Sequence, residues 1–129
     1  MMNTIEVLLV RPGEPPVRAE IKNDLTAMQE LVGGLIQAIY PFEDPGVALV
    51  ANEEGKLIGL PLNRTLCTED HLYDIIAGTF FLCGAPPDSE HFTSLTAEQM
   101  EQYTERFRYP EYFIRIGDDI LPIVVKSSR

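Results

Sequence analysis

The amino-acid sequence predicts an α+β fold, a mostly antiparallel β-sheet with one short packed helix and a C-terminal helix plus hairpin. Three observations carry this. Short apolar, β-branched runs alternate with proline- and glycine-bearing segments at residues 11–16, 41–46 and 85–90, as in sheets built from consecutive strands. Leu25, Met28, Leu31 and Val32 recur at helical spacing, and Thr96 opens a second helical pattern with its own start signal.

Residues 5–10 (IEVLLV) are apolar on both sides of a two-residue period except at Glu6, which predicts a strand in the sheet interior. The segment RPGEPP then turns the chain. Val17, Ala19 and Ile21 alternate with Arg18 and Glu20, which predicts a half-buried antiparallel partner. Asn23 is the expected cap of the first helix, with Asp24 in its first turn, where the helix dipole favours a negative charge, and Gly33-Gly34 as the stop. Residues 35–40 resume as a strand that Pro41 halts.

Residues 47–51 and 56–60 flank Asn52-Glu53-Glu54-Gly55 and predict a hairpin on a type I turn, with Gly55 as its left-handed residue. Residues 65–72 show no clear pattern, and residues 73–77 fit a helical turn or a strand equally. Residues 79–83 are aromatic and branched enough for a strand. Beyond the loop at 85–90, Thr96 with Gln99 forms a capping box and Leu95 with Met100 a hydrophobic staple. Met100, Tyr103 and Phe107 form the buried stripe, while Glu98, Glu101, Gln102, Glu105 and Arg106 face water. Residues 112–116 and 120–125 make a last hairpin around Gly117-Asp118-Asp119. Pro122 confines its final strand to an edge or bulge, which leaves room for a homodimer.

With 129 residues, 45% of them hydrophobic, the chain supports one domain over 1–129, in which 85–129 is a C-terminal extension folding back on the sheet. A net charge of −10 disfavours nucleic-acid phosphates and anionic lipid, so direct nucleic-acid binding is not expected. No run is long enough to span a membrane and no leader is evident, so a cytoplasmic location is expected. Cys67 and Cys83 lack metal or redox spacing and read as free buried thiols.

No nucleophile elbow, phosphate-cradling glycine loop or paired-histidine motif exists; no metal or cofactor is expected, and the residues do not favour an enzyme. His71 and His91 fall in predicted loops, and the acid pairs Glu53-Glu54, Glu69-Asp70 and Asp118-Asp119 coincide with turns, where local hydrogen bonding accounts for them. Asn63 and Arg64 are different. They follow directly on the predicted central hairpin, and an amide beside a planar guanidinium can grip a phosphate or carboxylate. The competing account pairs Arg64 with a local acid such as Asp74 and makes Asn63 a turn cap. Asn52 and Arg11 join the same candidate patch, with Tyr40 or Tyr73 as a stacking face.

The segments VLLVRPGEPP, VANEEGKLIGLPLNR, DIIAGTFFLCG and ERFRYPE together resemble the family known as domain of unknown function 3846 over nearly the whole chain. The resemblance implies a setting in bacteriophages and mobile elements of Firmicutes and relatives, and it transfers no catalytic residue. Two functions are therefore expected. The first is a non-enzymatic binding module that holds an anionic small molecule, such as a nucleotide signal, or a host protein at Asn63, Arg64, Asn52, Arg11 and Tyr40; on that reading Arg64→Ala removes capture with little loss of fold. The second is an acidic interaction factor that competes for a basic surface of a host defence protein. A small enzyme of unknown reaction stands third.

Overall fold

The structure, a computed structural model, describes residues 3–68 and 71–124. Glu69, Asp70 and the predicted last strand residue Val125 lie outside them, as do the side chains of His71 and Tyr73. In chain order the elements are β1 (Thr4–Val10), β2 (Val17–Lys22), α1 (Leu25–Val32), β3 (Ile36–Ile39), β4 (Val47–Asn52), β5 (Leu62–Thr68), β6 (His71–Ala77), β7 (Phe80–Gly84), α2 (Ala97–Arg106), β8 (Glu111–Ile116) and β9 (Asp119–Val124). Five strands form one antiparallel sheet in the order β2-β1-β7-β4-β3, and β5-β6 and β8-β9 form two-stranded ribbons. The fold is α+β, as the strand and helix patterns predict.

The three central strands are apolar on both sides because both faces of the sheet are covered. Val7, Leu9, Ala48, Val50, Phe81 and Cys83 pack with Met28 and Val32 of α1 on one face. Leu8, Val10, Val47, Leu49, Phe80 and Leu82 pack on the other with Leu66 of β5, Ile76 of β6 and Met100, Tyr103 and Phe107. Alternation along each strand thus feeds two cores, and each fully buried Val, Leu or Phe stabilises the fold by about 1.5–3 kcal/mol. No described helix is long and apolar enough to cross a membrane.

The capping box of α2 is present: Gln99 N–H donates to Thr96 Oγ1 at 3.1 Å, and Thr96 N–H donates to Gln99 Oε1 at 2.9 Å. Gly33 ends α1 with φ +79° and donates to the Gln29 carbonyl. The cap of α1, however, is Asp24 and not Asn23. Asp24 Oδ1 accepts from Ala27 N–H at 2.7 Å, while the Asn23 amide donates to the Phe92 carbonyl, 69 residues away, at 2.8 Å.

The predicted central hairpin does not form. Both edges of β4 are taken, by β3 and β7, so no edge remains for residues 56–60. That segment coils instead, with Ile58 N–H donating to Glu54 O and Leu60 N–H to Gly55 O. Gly59, with φ +77°, is its left-handed residue. Gly55 is needed for close approach, since a Cβ there would lie 2.8 Å from the Ala77 carbonyl oxygen. Residues 73–77 are strand, within β6. Of the two cysteines only Cys83 is buried; Cys67 is exposed, and both are free thiols.

Candidate functional site

Asn63 and Arg64 sit at the start of β5, where the β5-β6 register slips: Leu62 faces Ala77 and Arg64 faces Ile76, leaving Asn63 unpaired in a bulge. In a regular strand neighbouring side chains point to opposite faces; the bulge allows both to turn inward. Both are 0% exposed.

The Asn63 carboxamide donates to the Val10 carbonyl at the end of β1 and to the Gly78 carbonyl between β6 and β7, each at 2.9 Å. Its Oδ1 accepts from Arg64 Nη1 at 2.8 Å. Arg64 Nη1 also donates to the Asn63 carbonyl at 3.4 Å. Nη2 donates to the Glu14 carbonyl at 2.6 Å and to the Phe107 carbonyl at 3.1 Å, and Nε donates to Phe107 O at 3.3 Å. A guanidinium has five N–H donors, and these five bonds match them one for one. Phe107 is the C-terminal cap of α2, so the cation also meets the negative end of the helix dipole.

Burial lowers the Arg64 pKa below its ordinary value, while the Glu111 carboxylate and Tyr112 push it back up. Glu111 itself is engaged elsewhere, its Oε1 accepting from Thr65 N–H at 3.1 Å and Thr65 Oγ1 at 2.8 Å. The alternative pairing with Asp74 is also absent: Asp74 Oδ1 lies 2.5 Å from Lys56 Nζ. Arg64 is a clasp that ties the loop after β1, the end of α2 and the start of β5 through backbone carbonyls.

Of the five residues proposed as one site, Asn63 and Arg64 are bonded to each other and the other three lie elsewhere. Asn52, at the end of β4, accepts from Glu54 N–H at 2.8 Å and donates to the Val32 carbonyl at 3.2 Å, fastening α1 to the sheet. It lines an open cavity of about 450 Å³ with Glu53, Glu54, Lys56 and Asp74. Tyr40 is 57% exposed and lines a different cavity of about 330 Å³ with Pro86, Pro87 and His91. Arg11 is exposed at the turn after β1. No shared polar recess gathers them, because the guanidinium meant to anchor it has no donor left.

The remaining cavities show how charge is laid out. Lys56 shares its cavity with Glu53, Glu54 and Asp74; Arg106 shares one of about 430 Å³ with Glu43 and Asp44; Arg18 shares one of about 610 Å³ with Glu101 and Glu105. Each of these three cavities therefore holds at least two carboxylates, which repels an anion. Arg106 donates to the Cys67 carbonyl at 3.1 Å and lies 4.9 Å above the Phe42 ring. Among the described residues no group of three His, Cys, Asp or Glu side chains is placed to hold a metal ion.

Sequence reasoning missed the outward side of the β8-β9 hairpin. Tyr112, Ile114, Ile116, Leu121 and Ile123 are all exposed there. The signal was present: neither YFIRI nor ILPIV has the regular polar alternation of a half-solvated ribbon.

A model of the family described as domain of unknown function 3846 matches residues 4–108, ending just past α2. No curated protein and no solved structure matches the chain.

Proposed function

The chain belongs to the family of domain of unknown function 3846, and from that premise we propose that it is a non-enzymatic interaction protein whose acidic surface engages a basic surface of a partner protein. The observation that supports this is the disposition of charge. Arg64, the fully buried cation among the described residues, is committed to backbone carbonyls and to Asn63 Oδ1, while the chain carries 20 acidic against 10 basic residues. Among the described residues only Lys56–Asp74 and Arg108–Glu105 form ion pairs.

Part of that surface is the helix α2. Glu98, Glu101 and Glu105 are exposed on one side of the helix, with Glu105 also beside Arg108, and Met100, Tyr103 and Phe107 fix the other side in the core. Three carboxylates on a rigid helix form a fixed negative field, which steers a basic surface and sets its orientation. In the mobile-element setting that the family resemblance implies, that basic surface belongs to a host defence protein. The anionic small-molecule reading has less support, since Arg64 offers no donor and the cation-lined cavities are acidic.

The test is fluorescence anisotropy with an arginine-rich peptide as probe. Glu98→Gln/Glu101→Gln/Glu105→Gln is compared with Glu20→Gln/Glu30→Gln/Glu90→Gln, which changes net charge equally at other exposed positions. The α2 triple is expected to weaken binding about tenfold at low salt, and the control less than about threefold. Equal losses in the two variants would show that net charge alone acts, and would remove α2 as the working surface.

A further inference from the structure

We propose that the outward face of the β8-β9 hairpin docks a second copy of this chain, giving a two-fold dimer. The register pairs Tyr112 with Ile123, Ile114 with Leu121 and Ile116 with Asp119, and cross-strand partners share a face. Five of these six side chains are apolar and 41–58% exposed. On the opposite face Phe113 and Ile120 are half-buried and Glu111 bonds to Thr65, while Arg115, Pro122 and Val124 are exposed; Tyr112, at the edge of the apolar face, also lines a cavity with Pro12, Pro61 and Leu62. A two-stranded ribbon is only marginally stable in water, and among the described residues this one joins no third strand.

Size and charge select the occupant. Half-exposed, the five side chains offer about 500 Å² of apolar surface, at the upper end for a soluble monomer. Two such faces together cover about 1,000 Å², the lower limit of a specific interface. The face carries no charge except Asp119 at one end, so a basic partner gains little there and finds its complement on α2. A second copy removes both apolar faces from water. With the two-fold axis across the strands, the two Asp119 carboxylates lie at opposite ends of the stacked ribbons, each over Ile123 of the other copy, and like charges do not meet. The inference is independent of the acidic-surface reading, because it uses different residues and responds to salt in the opposite sense.

Sedimentation velocity of the full chain, over a concentration series reaching hundreds of micromolar, tests it. The expected result is a monomer–dimer equilibrium in the micromolar range that shifts toward dimer at about 0.5 M NaCl, as screening relieves repulsion between two chains of net charge −10. Ile114→Thr/Leu121→Thr keeps strand propensity and is expected to raise the dissociation constant at least about tenfold. Should that variant melt early by circular dichroism, Ile123→Thr, at the outer pair, gives the same reading with a smaller shift. A wild type that stays monomeric throughout, or a dimer that the substitutions leave unchanged, overturns the proposal.

Discussion

Replacing Arg64 should unfold the protein more readily, not merely empty a site. Truncation to alanine leaves the Phe107 carbonyl and Asn63 Oδ1 without their donor in a buried setting. Each orphaned acceptor costs about 1–3 kcal/mol. The Glu14 carbonyl is only partly buried, so it adds less. Releasing the guanidinium from burial returns part of the loss, whereas the vacated volume adds to it. The balance is a loss of about 3 kcal/mol, which lowers a urea midpoint by roughly 2 M for a domain of this size. Arg64→Met separates bonding from volume, because methionine fills the space but donates nothing. It should lose nearly as much as alanine. Arg64→Lys, with one compact ammonium in place of a planar fork, should fall between them and wild type. Urea unfolding followed by circular dichroism reads all three. An Arg64→Met variant within about 0.5 kcal/mol of wild type would refute the clasp, since that is the range of surface substitutions.

Two further outcomes follow from packing. Burial holds the Cys83 thiol up at about 12, so a thiol-reactive dye should titrate one cysteine, Cys67, in the native protein and two in urea. Because the folded pKa lies above the unfolded one, Cys83 stabilises the fold below the ordinary thiol range. That contribution is lost as pH rises toward about 12, so Cys83→Ala should flatten the alkaline decline of stability. A Cys83 that reacts as fast as Cys67 in the native state would contradict its placement. Gly84→Ala puts a Cβ against Thr93 Oγ1 and 2.7 Å from the Ser94 carbonyl, where β7 bridges residue 93 through paired backbone bonds. It should cost about 1–3 kcal/mol in thermal or urea unfolding, and an unchanged midpoint would show that the bridge gives way freely.

What could be read from the sequence was local. The two-sided apolar character of β1, the αL glycine ending α1 and the capping box of α2 depend on residues within a turn or two of each other. The errors lie where distant chain decided the outcome. Residues 56–60 look like the return strand of a hairpin until β7, some thirty residues on, occupies the edge of β4. Asn23 and Asp24 are equivalent caps until Phe92 claims the amide of Asn23. Arg64 looks available because its acceptors, Glu14 and Phe107, are 50 and 43 residues away, and because backbone carbonyls leave no mark in a sequence. The bulge at Asn63, which turns two successive side chains inward, is equally silent.

The most direct test of the claim that Arg64 is internal is nuclear magnetic resonance of its side-chain Nε–H in the labelled protein. A clasp predicts a resolved, slowly exchanging signal that nucleotides and inorganic phosphate leave in place. A signal that exchanges with water as fast as an exposed arginine, or that shifts and saturates with an added anion, would contradict it and restore the guanidinium as a ligand site.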